Sequence, residues 1–81
     1  MTPRLIAARH VGGYVVELRY EDGTCAQVDL DRDLWGDVFE PLRDMARFKE
    51  FRLDPELQTL VWPNGADFAP EHLYERATTS R

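Results

Sequence analysis

Apolar and polar positions alternate along most of the first thirty residues. Leu5 to His10 reads as a strand of mixed pattern, and Gly12-Gly13 after it is a turn signal that tolerates positive φ. In Tyr14 to Tyr20, the residues Tyr14, Val16, Leu18 and Tyr20 fall on one side, with Glu17 and Arg19 on the other. Asp22-Gly23 supplies a tight hairpin turn, and Thr24 to Leu30 keeps the period of two, with Ala26, Val28 and Leu30 inward and Gln27 and Asp29 outward. Three strands joined by two short turns predict an antiparallel meander with one apolar face and one wet face.

The period changes between Asp31 and Glu50. Leu34, Trp35, Val38, Phe39, Leu42, Met45, Ala46 and Phe48 recur at spacings of three and four, which predicts helix. Gly36 weakens the start and Pro41 interrupts the pattern, so two short helical pieces are expected. Phe51 to Asp54 and Gln58 to Trp62 predict a second hairpin around Pro55 and Glu56, closed by Pro63-Asn64-Gly65. Pro70 suits the first turn of a terminal helix in which Leu73, Tyr74 and Ala77 face inward, and Thr78 to Arg81 is expected to fray. The predicted class is α+β: a three-stranded meander, a short helical crossover, a second hairpin, and a C-terminal helix packed on one sheet face.

Composition narrows the function classes. The chain has 81 residues, enough for a single domain, and 43% are hydrophobic, too many for a disordered tail. A domain this size buries only about 60% of its unfolded surface, which leaves little room for an enclosed active site. No apolar run approaches a membrane span and the N-terminus lacks a signal peptide's apolar stretch, so a cytoplasmic location is expected. The net charge of -5 argues against nucleic acid as a direct partner. Nearly all the excess lies in residues 21–40, where Glu21, Asp22, Asp29, Asp31, Asp33, Asp37 and Glu40 face Arg32 alone. Such a cluster is either a solvated face or a patch that steers the domain onto a basic partner protein.

Few residues point to chemistry. His10 and His72 lie far apart, Cys25 is the single cysteine, and no His or Cys pair has metal-ligand spacing. Asp29, Asp31 and Asp33 would form a carboxylate row if the strand persisted through them, but they lack the glycine and terminal glutamate of a calcium loop. Gly12-Gly13 precedes a strand and lacks a phosphate-cradling pattern. No cofactor is expected. The densest segment runs from Trp62 to Tyr74. Structurally, Trp62 ends a strand in the core, Asn64-Gly65 turns the chain and Asp67 accepts N–H groups near the helix start. Functionally, Trp62, Asn64 and Asp67 would form a recognition edge with the indole as anchor.

The run Trp62-Pro63-Asn64-Gly65-Ala66-Asp67, followed by Pro70-Glu71-His72-Leu73-Tyr74, closely resembles the C-terminal signature of the bacterial domain-of-unknown-function family 2442. The likeness extends upstream through Tyr14 to Gly23, Val28-Asp29-Leu30, and Phe39, Leu42, Asp44 and Phe48, covering about residues 4–76. The resemblance implies a small α+β domain with no established activity, cofactor or catalytic residue. It also implies two-gene arrangements with another small protein, and hence an antitoxin-like role. Some members carry a helix-turn-helix domain after this one; the chain ends at Arg81, so DNA binding through such a domain is not expected.

The expectation is therefore a non-enzymatic, acidic protein-binding module that regulates or inhibits a bacterial partner, using Glu21, Asp22, Asp29, Asp31, Asp33, Asp37, Trp62, Asn64 and Asp67. The partner would be a small cognate protein or a basic, nucleic-acid-handling one. In the second case the domain would be an anti-CRISPR or anti-restriction type of inhibitor from a mobile element, whose carboxylates imitate phosphates. An enzyme or accessory subunit built on Cys25, Asp67 and His72 is the rival from another class. A third option is a homo-oligomer formed through an exposed strand edge.

Overall fold

Gly23 sits at φ +95°, the left-handed region that the tight turn between the second and third strands requires. In the computed structural model, which describes residues 2–79, the strands β1 (Leu5–Gly12), β2 (Val15–Tyr20) and β3 (Cys25–Asp29) form an antiparallel sheet in that order. The register runs from Leu5 opposite Tyr20 to His10 opposite Val16, and from Val15 opposite Asp29 to Arg19 opposite Cys25. The period of two holds: Val16, Leu18, Tyr20, Val28 and Leu30 are buried, while Arg19, Gln27 and Asp29 are exposed. On the polar face Arg9 pairs with Glu17 at 2.9 Å. The expected fold class, α+β, is the observed one.

The crossover departs from expectation. Instead of two helical pieces there are three single turns: 3-10 turns at Asp31–Asp33 and Glu40–Arg43, and a one-turn helix α1 (Met45–Phe48). Asp44 caps α1, its side chain accepting from the Ala46 N–H at 3.1 Å. Gly36 at φ +93° breaks the helical path, so the three-and-four spacing no longer maps onto one face. Leu34, Leu42 and Phe48 are buried, whereas Trp35, Val38 and Ala46, apolar positions of the same three-and-four spacing, are exposed.

Strands β4 (Arg52–Asp54) and β5 (Thr59–Val61) make the second hairpin. Asp54 Oδ1 organises its turn by accepting from the Glu56 and Leu57 N–H groups at 2.8 and 3.0 Å, which holds the Asp54 carboxyl below the ordinary carboxylate range. Helix α2 (Pro70–Thr79) buries Leu73 and Ala77 and packs against β3. Thr78 and Thr79, expected to fray, continue the helix with their hydroxyls bonded to the carbonyls of Tyr74 and Glu75. The rest of the expected tail, residues 80 and 81, lies outside the described residues. No helix among the described residues is long and apolar enough to cross a membrane.

Aromatic rings fill the centre. Phe48 meets Tyr14, Phe51 and Trp62 at centroid distances of 5.2, 6.1 and 5.9 Å. Near the sheet's end, the Tyr20 and Tyr74 rings pack edge to face at 5.0 Å, and the Tyr74 hydroxyl donates to Asp22 Oδ2 at 2.6 Å. Burial, with Tyr74 and Asp22 nearby, pushes the Tyr20 hydroxyl up to about 12 from 10.0. The folded protein then binds more protons than the unfolded chain between those two values. The stability contribution is complete below pH 10 and is lost as pH rises toward 12. We expect urea midpoints to fall between about pH 10 and 12, and Tyr20→Phe to flatten that decline; an equal decline in the variant would contradict the assignment.

Candidate functional site: an aromatic groove at the start of α2

The site is assembled from three segments that the fold brings together. The first is the turn after β3. The strand ends at Asp29, whose Oδ1 accepts from the Asp31 N–H at 2.9 Å, and the chain then coils through Asp31–Asp33. Asp29, Asp31 and Asp33 therefore do not form a carboxylate row on one strand face. Asp31 instead accepts from Arg43 Nη1 at 2.7 Å through its side chain and from Nη2 at 2.9 Å through its carbonyl. The Asp31 carboxylate beside it holds the Arg43 guanidinium above the ordinary arginine range. That guanidinium also lies 5.5 Å from the Tyr14 ring centroid, and the Tyr14 hydroxyl donates to the Arg43 carbonyl.

Asp33 turns toward α2. His72 and Arg76 stand four residues apart and so share a helix face. His72 Nε2 lies 2.8 Å from Asp33 Oδ1, and Arg76 Nε lies 3.3 Å from Asp33 Oδ2, an ion pair outside hydrogen-bond geometry. Arg76 also donates to the Asp29 carbonyl. One acidic side chain of the expected surface cluster thus ties the end of β3 to the C-terminal helix.

The second segment is the loop holding Trp35, and the third is the turn between Trp62 and Ala69. Asn64 joins them. Its Nδ2 donates to the Val38 carbonyl at 2.9 Å, and its Oδ1 accepts from the Ala66 N–H at 3.0 Å. Bonds from Trp62 N–H to Ala66 O and from Gly65 N–H to Trp62 O close the turn, and Asp67 bridges back to Val61. Phe68 is thereby set against Phe39, nearly parallel at 19° with centroids 4.7 Å apart, and against His72 at 5.8 Å. We expect Asn64→Ala to cost about 1 kcal/mol and to speed hydrogen exchange at the Ala66 amide, which loses its acceptor. Unchanged exchange there would mean the tether is not formed in solution.

The result is a groove of about 360 Å³ lined by Asp33, Trp35, Phe39, Asp67, Phe68, Ala69 and His72. Trp35 is 75% exposed, the most exposed large hydrophobic side chain among the described residues. Asp67 is exposed and its side chain makes no helix-capping bond, contrary to the sequence expectation; His72 N–H and Leu73 N–H bond to the Ala69 carbonyl. Trp62 does not form a recognition edge. It is 3% exposed, and its Nε1–H donates to the Phe48 carbonyl at 2.9 Å inside the core. Asn64 is an organiser of the turn.

The other expected site residues lie elsewhere or at the margin. Glu21 accepts from the Arg4 N–H at 3.0 Å. Asp22 accepts from the Tyr74 hydroxyl and from the Thr24 N–H, bonds that hold its carboxyl below the ordinary carboxylate range. Asp37 is exposed in the Trp35 loop. Of the suggested enzymatic set, Asp67 and His72 share the groove, but Cys25 is exposed on β3 and does not line it. Among the described residues, no Ser, Thr or Cys lines the groove to serve as a nucleophile beside His72. No cluster of three or more His, Cys, Asp or Glu able to hold a metal ion occurs among the described residues.

Trp35 and Phe39 are the site residues that the pattern hid, because both belong to a spacing that reads only as helix. Gly36, directly after Trp35, was the available signal that the helix could not carry the indole inward.

These features define a small α+β domain with an aromatic groove at the start of its C-terminal helix. The chain belongs to the family described as "Protein of unknown function (DUF2442)", whose match spans residues 5–79. No curated protein and no solved structure matches the chain.

Proposed function

We propose that this domain is a non-enzymatic protein-binding module that regulates or inhibits a basic bacterial partner in the cytoplasm, an antitoxin-like role, and that the partner docks on the Trp35 groove. The observation that carries this reading is Trp35 itself. One tryptophan of the chain is buried at 3% exposure while the other stands 75% exposed at the mouth of an aromatic groove. Tryptophans that become desolvated in a pocket dominate the energetics of protein interfaces. The exposed carboxylates of Asp37 and Asp67 supply the charge that favours a basic partner. Phosphate imitation by Asp29, Asp31 and Asp33 has less support, since it needs a row of free carboxylates and two of the three are held by internal cations.

The test is site-specific photo-crosslinking from bacterial lysate, with an aromatic photoreactive residue in place of Trp35, which keeps a ring at the anchor position, and a control at Leu57, which is also exposed. A single protein of net positive charge, captured from position 35 and not from position 57, is the expected result. Equal capture at both positions, or capture at neither, would overturn the proposal.

A further inference from the structure

We infer that the groove receives an arginine side chain of the partner; this rests on the docking reading above and specifies its chemistry. Three observations converge. First, the lining is aromatic: Phe39 and Phe68 stack on each other as its floor, and Trp35 stands at the same groove with its indole largely uncovered. A planar guanidinium stacks on such faces and is held by their quadrupoles, indole most strongly. Second, the two carboxylates of the groove differ. Asp33 is already matched by Arg76 and His72, whereas the Asp67 carboxylate is exposed and has no cation within ion-pair distance among the described residues. Third, about 360 Å³ is at the small end of ligand sites, sized for a side chain rather than for a helix or strand.

The sign of the ligand's charge follows from magnitudes. The N-terminal end of α2 contributes about half a positive charge, which on its own would attract an anion. Asp67 contributes a full negative charge at the same groove, and among the described residues no Lys or Arg lines it. The balance favours a cation. Lysine would satisfy Asp67 as a point charge but has no planar face to lay on Trp35, and an apolar side chain would leave Asp67 unpaired.

The experiment is a heteronuclear NMR titration of the whole chain with N-acetyl-arginine amide, N-acetyl-lysine amide and N-acetyl-leucine amide, each to tens of millimolar. The arginine amide is expected to give saturable shifts at the Trp35 indole N–H and at the Asp67 and Phe68 amides. The lysine amide should bind about fivefold more weakly. Asp67→Asn, at an exposed position, should weaken the arginine amide about tenfold while leaving the spectrum folded. Leucine amide shifting the groove as strongly as arginine amide, or arginine amide binding unchanged in Asp67→Asn, would overturn the inference. Either result leaves the docking reading standing if position 35 still captures a single basic partner. Loss of that capture removes the docking reading regardless of what the amides do.

Discussion

Trp62→Ala is expected to unfold the domain at room temperature or to leave it marginally folded. Trp62 is 3% exposed, meets Phe39, Phe48, Phe51 and Phe68 at centroid distances between 5.7 and 6.4 Å, and donates its Nε1–H to a buried carbonyl. Removing a buried indole costs roughly 3–5 kcal/mol, because the neighbouring rings cannot all collapse into the space. A chain of this length has a total stability of about 4–12 kcal/mol, so one substitution consumes much of it. Trp62→Phe separates the contributions. It keeps most of the ring contacts but strands the Phe48 carbonyl, at about 1–3 kcal/mol. Urea denaturation followed by circular dichroism reads both effects. A wild-type midpoint for Trp62→Ala would mean that Trp62 is a surface residue after all.

Trp35→Ala is expected to do the reverse. At 75% exposure the indole gives the folded state little, and stability should change by no more than about 0.5 kcal/mol. Binding to the captured partner should weaken by about 2 kcal/mol, roughly thirtyfold, as befits an aromatic anchor in a small interface. The two tryptophans therefore make a paired test: one change that destroys the fold, and one that spares the fold and damages binding. If Trp35→Ala binds with wild-type affinity, the groove is not the contact surface.

Much of the fold was legible in the sequence because a period of two is hard to mistake. Val16, Leu18 and Tyr20, set against Glu17 and Arg19, can satisfy only one register of a half-buried strand. The second hairpin and α2 were marked by Pro55 and Pro70, whose backbone restrictions are local and survive folding. The crossover was less legible. Its spacing of three and four is a helical signal only while the backbone stays helical, and Gly36 and Pro41 divide it into single turns. Trp35 consequently belongs to a helical spacing but lies on the surface.

The site itself was only partly legible. Asp67 and His72 were singled out, but what joins them to Trp35 is long-range: Asn64 bonding to Val38 across 26 residues, and His72 meeting Asp33 across 39. Neither contact leaves a mark in local pattern. The acidic cluster illustrates the same limit, since net charge counts Asp31 and Asp33 as surface carboxylates while the fold sets arginines against both.

On the proposed reading, this domain works by presenting the Trp35 groove to a basic protein. Hydrogen exchange with and without the partner captured at position 35 tests it most directly. New protection is expected in residues 34–39 and 66–72, and none in the strands β2 and β3. Protection centred instead on the polar face of those strands, around Arg19, Gln27 and Asp29, would contradict it.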